Sequence, residues 1–336
     1  MFFRLWLGRV KIVHMPHVMI SDALASKVPI GSMVTVKGWI RTRRDSKAGL
    51  SFLHVHDGSC FDALQVVAAK MLPNYESEIL HLTTGCAVTV IGTLVESQGK
   101  DQPVELQAES ITVIGWVEDP DAYPVSAKRH SFAHLRRVAH LRARTHTFGA
   151  IARVRDCLSQ AMHRFFHERG FYWVHTPIIT TSDCEGAGEM FCVSTLDLMN
   201  LPRDDTGQVN YAEDFFGEPA YLTVSGQLNV ETYCLAMMKA YTFGPTFRAE
   251  KSKTRRHLTE FWMVEPEAAW IDSDQNMDLQ ERFVAYIVER VLERQRQELE
   301  ILGRDLSKLE AIVPPFDRIS YTDAIDCLRS GGSETE

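Results

Sequence analysis

The run Phe247-Arg248-Ala249-Glu250 is followed, after a charged loop, by Phe261-Trp262-Met263-Val264-Glu265-Pro266-Glu267. The spacing predicts a long hairpin, in which the first strand ends at the arginine and glutamate and the second carries the aromatic residues. The connecting residues 251–257 read KSKTRRH and are densely cationic. A loop of this length between two strands is a common place for function, because the sheet does not depend on it. We therefore expect the chemistry of the chain to lie in this hairpin.

The residue types in the hairpin suit a nucleoside triphosphate such as ATP. A guanidinium at Arg248 can hold a phosphate through two parallel hydrogen bonds, and the cations of the loop can meet the outer phosphates. The ring of Phe261 offers a face on which a base can stack. The alternative is a basic hairpin whose aromatic residue belongs to the core and which binds no ligand.

The hairpin resembles motif 2 of the class II aminoacyl-tRNA synthetases, in the RxE-loop-RHxxEF form of the aspartate/asparagine/lysine subgroup. The resemblance implies that Arg248 and Glu250 are catalytic, with the arginine on the α-phosphate of ATP and the glutamate orienting the adenine. It also implies that His257 contacts the phosphates and that Phe261 stacks on the base. The cofactors it implies are ATP and Mg²⁺, which bridges the phosphates.

Length and composition are ordinary. The chain has 336 residues, of which 45% are hydrophobic, and it contains no apolar run long enough to cross a membrane. Its seven cysteines are scattered without a CxxC pair, which favours reduced thiols in the cytoplasm and argues against a zinc site. We expect a cytoplasmic protein with no membrane partner, and no metal-ligating residue is assigned.

The net charge is −8, but basic residues are concentrated in segments 37–47 and 128–144. An acidic chain with local basic stripes fits a protein that holds a polyanion at chosen places. The alternative is that both segments are only solvated charged faces.

Residues 31–117 contain short strand-like runs, which predict a five-stranded OB-fold barrel. The segment 75–82 lies between the third and fourth strands and is predicted as a helix that plugs the barrel. The predicted strands are 33–40, 50–57, 64–68, 86–94 and 104–108.

The run Gly38-Trp39-Ile40-Arg41-Thr42-Arg43-Arg44, together with Phe52 and Gln65, resembles the anticodon-binding domain of the same subgroup. The resemblance implies that Phe52 stacks on a tRNA base, Gln65 reads a base edge and Arg41 holds the backbone. Readers of single-stranded RNA commonly combine aromatic, amide and guanidinium groups in this way. The alternative for Phe52 is a strand residue in the barrel core.

The second half of the chain opens with apolar residues at three- and four-residue spacing from 148 to 169, which predicts an amphipathic helix that ends at Gly170. The segment 171–177 is predicted as a strand closed by a proline. The helix and strand resemble motif 1, and the resemblance implies a homodimer formed through this motif.

Two segments between the motifs resemble substrate-binding parts of the family. Residues 182–191 are small and glycine-rich and resemble the loop that closes over the aminoacyl-adenylate, with Glu185 contacting the amino acid. Residues 222–231 resemble the substrate-binding strand, in which Ser225 and Gln227 hold the α-amino group. The alternatives are a tight turn for the first segment and a plain strand-to-helix junction for the second.

The residue at position 230 distinguishes members of the subgroup that activate aspartate from those that activate asparagine. Members that activate aspartate carry a lysine three residues after the glutamine, whereas this chain has Val230. A buried carboxylate without a counter-charge costs several kcal/mol, but a neutral amide needs only hydrogen-bond partners. By the resemblance, Glu265 faces the same pocket, accepts a hydrogen bond from the substrate amide and repels aspartate. The implied substrates are therefore L-asparagine and tRNA(Asn), joined through an asparaginyl-adenylate.

The expected fold is α+β, with a class II antiparallel-sheet catalytic domain after the barrel. The glycine-rich motif 3, whose arginine binds the ATP γ-phosphate in this family, is not found, so we expect a catalytic domain that is incomplete at its C-terminus and a 336-residue chain without measurable ATP–pyrophosphate exchange. Three alternatives stay open: an aspartyl enzyme of relaxed tRNA specificity, a tRNA-independent asparagine synthetase, and a catalytically inactive tRNA-binding protein. The predicted divisions are an N-terminal extension (1–28), the OB-fold domain (29–117), a linker (118–145) and the catalytic domain (146–336).

Overall fold

The computed structural model describes residues 16–99, 102–126, 128–184, 190–252, 254 and 256–331. The chain forms two compact units that divide between Arg153 and Val154. The helices are α1 (Ile20–Leu24), α2 (Phe132–Arg137), α3 (His146–His167), α4 (Gln227–Met237), α5 (Ser273–Arg294), α6 (Arg296–Ile301), α7 (Leu306–Glu310) and α8 (Tyr321–Ser330). The strands are β1 (Met33–Ser46), β2 (Leu50–His56), β3 (Leu64–Ala69), β4 (Ala87–Glu96), β5 (Val104–Gly115), β6 (Tyr172–Trp173), β7 (Ile179–Thr180), β8 (Cys192–Val193), β9 (Ala220–Leu222), β10 (Lys239–Phe247) and β11 (Glu260–Ala268).

The first unit is built on a closed barrel with strand order β1-β2-β3-β5-β4, which confirms the predicted OB-fold. Side chains on a strand alternate between its two faces, so every second residue enters the barrel. In β2, Leu53 and Val55 are fully buried, while Phe52 and His54 between them are only half-buried. The barrel core therefore follows from the alternation in the sequence.

A bulge helps the barrel to close. The register between β4 and β5 shifts between Ile91 and Gly92. A Cβ atom on Gly92 would lie 2.2 Å from the carbonyl oxygen of Gln107, so a larger residue does not fit there. Bulges increase the local bend and twist of a strand, and this one brings β4 close to the backbone of β5.

The segment that plugs the barrel is not the predicted α-helix. It consists of turns and a short 3₁₀ helix at Ile79–His81, although its side chains do fill the core as expected. The side-chain amide of Asn74 donates to the carbonyl oxygen of Ile111 at 2.9 Å, which ties the start of the segment to β5. An eight-residue segment is too short to form a stable α-helix by itself, so tertiary packing decides its backbone.

Residues on both sides of the barrel also belong to the first unit. Ile20 and Ala23 of α1 are fully buried in the barrel core, although they lie in the segment predicted as an extension. In the segment predicted as a linker, Val125 and Leu135 are buried as well. The predicted domain limits remain predictions.

The second unit contains a sheet of order β11-β10-β6 and a smaller sheet of order β7-β9-β8. Strands β10 and β11 are antiparallel, whereas β6 runs parallel to β10. Phe165 and Phe166 of α3 pack on Tyr241 of β10 and on aromatic residues of α5. The strand predicted at 171–177 is reduced to the two residues of β6, and just beyond them the Val174 amide donates to the Tyr241 carbonyl of β10 at 2.8 Å.

Within the residues the structure describes, no helix is long and apolar enough to span a membrane.

Candidate functional site

The predicted hairpin is present, and its two strands pair along their full length. The register sets Thr246 opposite Phe261 and Thr242 opposite Glu265. Beyond the last strand pair, the Arg248 amide donates to the Thr259 carbonyl at 3.0 Å, which continues the ladder into the loop. The strands therefore hold Arg248 and Phe261 rigidly at the base of the charged loop.

A cavity of about 300 Å³ opens at this base. Its lining includes all four residues predicted to bind ATP, namely Arg248, Glu250, His257 and Phe261. The guanidinium carbon of Arg248 lies 5.4 Å from the ring centroid of Phe261, within the range of a cation–π contact. The structure thus brings together a cation, a carboxylate and an aromatic face, the groups that the sequence predicted for a nucleotide site.

Hydrogen bonds link the described residues of the loop tip to one another. The Nδ1 atom of His257 lies 3.0 Å from the Ser252 hydroxyl oxygen and also hydrogen-bonds to the Thr254 hydroxyl. That hydroxyl oxygen in turn accepts from the backbone amides of Arg256 and His257. Sequence reasoning did not single out Ser252 or Thr254, although short hydroxyl residues often order turns in this way. The predicted loop residues Lys253 and Arg255 lie outside the described residues.

Glu265 is held from both sides of its carboxylate. The Ser225 hydroxyl donates to Oε1, and the Gly226 backbone amide donates to Oε2 at 3.1 Å. The Gln227 amide donates to the Ser225 hydroxyl oxygen at 3.1 Å, and α4 begins at Gln227. The segment predicted as a substrate-binding strand is therefore a strand-to-helix junction, and the Gly226 amide at the start of the helix bonds to β11.

Gly226 sits in a space that admits no side chain. A Cβ atom there would lie 2.6 Å from the Thr176 hydroxyl oxygen and 2.8 Å from Cγ2 of Thr242. The two threonine hydroxyl oxygens are 3.1 Å apart and hydrogen-bonded. Neither threonine was singled out from the sequence, because nothing local marks a residue that packs against a glycine far along the chain.

A second carboxylate, Glu267, lies two residues beyond Glu265 on β11. Burial raises the pKa of Glu267, and the negative charges of Glu231 and Glu265 raise it further. Glu231 itself accepts a hydrogen bond at 2.9 Å from the side-chain amide of Gln227, one turn earlier on α4. The junction is therefore strongly negative.

Position 230 brings no positive charge to this region. The Val230 side chain is fully buried and packs with Val174 and Ala240. A neutral, apolar residue at this point agrees with the sequence argument for an uncharged substrate side chain. Glu185, the predicted contact from the glycine-rich loop, lies outside the described residues.

In the first unit, Phe52 lies on the outer face of the barrel and is not part of its core. It is paired with Arg44 on β1 and with Val67 on β3. These residues and Gln65 line a groove of about 660 Å³. A half-buried aromatic ring beside a cation in an open groove can stack on a base.

The amide of Gln65 is oriented by a buried carboxylate. Its Nε2 atom donates to Glu105 at 2.9 Å, and Glu105 is only 5% exposed. The Gln65 backbone amide also donates to the side chain of Gln102 at 3.2 Å. The sequence did not point to Glu105, because a glutamate on a predicted strand carries no local signal of the residue it will meet.

Arg41 lines an adjoining cavity of about 540 Å³ together with His54 and Gln65. Its Nη1 atom donates to the Arg144 carbonyl at 3.1 Å, and burial lowers its pKa. Burial and the charge of Arg44 lower the pKa of His54. The predicted tRNA-binding residues Arg41, Phe52 and Gln65 therefore share one face of the barrel.

Comparison with known proteins identifies the family of both parts of the chain. A family profile described as tRNA synthetases class II (D, K and N) matches residues 133–335, and one described as OB-fold nucleic acid binding domain matches residues 34–114. The asparagine–tRNA ligase of Hahella chejuensis (strain KCTC 2396) is 57% identical over 328 residues, which are 96% of this chain and 70% of that relative. The chain belongs to the asparaginyl-tRNA synthetases. The enzyme of Haemophilus influenzae (strain PittGG) is 59% identical over 323 residues, covering 94% of this chain and 69% of that relative.

Solved synthetase structures show the same fold. The asparaginyl-tRNA synthetase of Pyrococcus horikoshii complexed with asparaginyl-adenylate has a TM-score of 0.79 and 31% sequence identity, and the match covers 95% of this chain and 68% of that one. The adenylate in that structure is the product of amino-acid activation by ATP. Use of ATP is therefore a property of the synthetase family to which this chain belongs.

Proposed function

We propose that this chain recognises L-asparagine through the carboxylate of Glu265, in a synthetase that activates asparagine with ATP and transfers it to tRNA(Asn). The observation that carries the proposal is the double anchoring of Glu265 by the Ser225 hydroxyl and the Gly226 amide. A fixed carboxylate can accept a hydrogen bond from the neutral side-chain amide of asparagine, whereas the carboxylate of aspartate would be repelled. The buried Val230 offers no positive charge to offset that repulsion.

In the activation step, the asparagine carboxylate attacks the α-phosphorus of ATP, and pyrophosphate leaves. No protein nucleophile is required, so the protein contributes positioning and charge. Arg248 neutralises the α-phosphate and Phe261 stacks on the adenine, and the shared cavity and mutual contact of the two side chains support these roles. Glu250 orients the base, and His257 at the loop tip contacts the outer phosphates.

In the transfer step, the terminal ribose hydroxyl of the tRNA takes the asparaginyl group from the adenylate. Ser225 and Gln227 hold the α-amino group of the substrate, and Glu185 contacts the amino acid from the glycine-rich loop. On the barrel, Phe52 stacks on an anticodon base, Gln65 reads a base edge and Arg41 contributes positive charge.

The proposal also includes a metal ion, an oligomeric state and a cellular location. Mg²⁺ enters the proposal as the ion that bridges the phosphates of ATP. A homodimer through motif 1 is supported by Tyr172 and Trp173 of β6, which are 56% and 54% exposed. The chain acts in the cytoplasm, where tRNA is aminoacylated for translation.

The test compares non-hydrolysable asparaginyl and aspartyl sulfamoyl-adenosine by isothermal titration calorimetry. The asparaginyl analogue should bind more tightly, and equal affinities would contradict the proposal. Glu265→Gln should reduce the difference in binding free energy between the asparaginyl and aspartyl analogues by about 1–3 kcal/mol, because the neutral amide no longer repels the aspartyl carboxylate. The control is Glu300→Gln, an exposed residue on α6, which should leave the preference unchanged.

A further inference from the structure

We propose that Glu231 is a positioning residue, which fixes the side-chain amide of Gln227 so that its carbonyl oxygen is presented to the α-ammonium group of the amino-acid substrate. This inference rests on the proposed function, in which Gln227 contacts that group. The observation is the 2.9 Å hydrogen bond from Nε2 of Gln227 to Oε1 of Glu231. Both residues lie on the first turns of α4, next to the anchored Glu265.

The two ends of a glutamine amide have opposite chemistry. The NH₂ group only donates hydrogen bonds, and the carbonyl oxygen only accepts them. An ionised carboxylate only accepts, so Glu231 can bind the Nε2 end of Gln227 and would repel the Oε1 end. Glu231 therefore selects one of the two amide orientations.

The selected orientation matters because the substrate α-ammonium group only donates. It needs acceptors, and the Ser225 hydroxyl, which donates to Glu265 and accepts from the Gln227 backbone amide, has one acceptor site left for it. The Oε1 atom of Gln227 has no hydrogen-bond partner among those found in the described part of the chain. A flipped amide would turn an NH₂ group toward the ammonium group, losing the hydrogen bond and adding repulsion.

The charge around Glu231 supports the same role. Glu231 lies close enough to Glu267 for its negative charge to help raise the pKa of that residue, so α4 and β11 turn their carboxylates toward one region. Negative charge in that region attracts a cationic group. The alternative is that the Gln227–Glu231 pair only stabilises the helix, as other pairs four residues apart do.

The experiment separates these two roles with a pair of ligands. Binding of asparaginyl sulfamoyl-adenosine is compared with binding of the same analogue in which hydrogen replaces the α-amino group. Glu231→Gln should weaken binding of the amino-bearing analogue about tenfold and leave the des-amino analogue within about twofold, because a glutamine at 231 accepts either end of Gln227. Glu231→Asp should retain the preference for the amino-bearing analogue.

Glu168→Gln is the matched control, since Glu168 directly follows α3 and is an exposed carboxylate that also accepts a hydrogen bond from the residue four positions earlier. It should change neither affinity. If Glu231→Gln weakens binding of both analogues equally, or of neither, the positioning role is wrong. The proposed function would still be supported in that case by the wild-type affinities. Failure of the wild-type chain to bind either analogue would overturn the proposed function itself, and this inference with it.

Discussion

The backbone amide of Gly226 donates a hydrogen bond to Oε2 of Glu265 across 3.1 Å, and this contact ties the start of α4 to the middle of β11. The Ser225 hydroxyl holds the other carboxylate oxygen. Glu265 is therefore oriented before any substrate arrives, and its carboxylate needs little rearrangement when a ligand binds. In the proposed function, selection of a neutral substrate side chain therefore depends on a junction in which Gly226 leaves no space for a larger residue.

Gly226→Ala should disrupt this junction. The new methyl group would meet Thr176 and Thr242 at 2.6 and 2.8 Å, and relieving the clash would move the amide away from Glu265. We expect a stability loss of about 1–3 kcal/mol, typical of overpacking, and at least about tenfold weaker binding of asparaginyl sulfamoyl-adenosine. Chemical denaturation and calorimetry measure the two effects. Gly244→Ala on β10 is the control, because its nearest contact would be 3.9 Å away, and comparable losses there would contradict the prediction.

Phe52→Ala should lower tRNA affinity, whereas Leu53→Ala should lower stability, although the two residues are neighbours on β2. Phe52 lies outside the barrel core, so its truncation should cost about 1–3 kcal/mol in tRNA affinity and leave thermal stability nearly unchanged. Leu53 is fully buried, so its truncation should cost about 2–5 kcal/mol in stability. Filter binding of tRNA and a thermal melt separate the two. Unfolding of the barrel by Phe52→Ala would show that the ring is structural.

Glu105→Gln should weaken tRNA binding without any direct contact to the RNA. Glu105 accepts hydrogen bonds from the side chains of Gln65 and Gln107, and replacing its carboxylate with an amide leaves Gln65 free to flip. We expect a loss of about 1–2 kcal/mol in tRNA affinity. Glu109→Gln, further along β5, is the control, and an equal loss there would assign the effect to overall charge.

Arg248→Lys should weaken ATP binding although the charge is kept. A lysine cannot make the two parallel hydrogen bonds of a guanidinium, and it stacks less well over Phe261. We expect about a tenfold increase in the dissociation constant for ATP, measured by calorimetry. Arg304→Lys, at an exposed position after α6, should have no effect. Unchanged ATP affinity in Arg248→Lys would remove this residue from the nucleotide site.

Glu267→Gln should stabilise the chain at neutral pH and not in acid. The pKa of Glu267 is raised above its ordinary value of 4.5, so the folded state favours the protonated carboxyl. The stability that this proton provides is present below the ordinary pKa and is lost as the pH rises through the raised one. A glutamine does not titrate, so its advantage over wild type should grow between about pH 4 and pH 7. Denaturation midpoints at the two pH values test this, and a constant difference would contradict it.

The barrel strands and the β10–β11 hairpin could be predicted from the sequence alone. Both are written in local patterns, since alternating apolar residues define a strand and the RxE and RHxxEF runs lie within a few residues of each other. Arg248, Glu250, His257 and Phe261 therefore appear together in one cavity, as predicted. The local backbone of the plug at 75–82 was predicted wrongly, because packing inside the barrel outweighs the weak helical preference of so short a segment.

The hydrogen-bond partners of the two carboxylates could not be predicted without the tertiary structure. Glu265 meets Ser225 and Gly226, and Glu105 meets Gln65, across separations of 39 or 40 residues along the chain. Strand register and the place where α4 begins set these distances, and a shift of one residue would turn each side chain to the opposite face. Periodicity in a sequence shows which residues share a face of one element, whereas the partner on another element is chosen by how the elements pack.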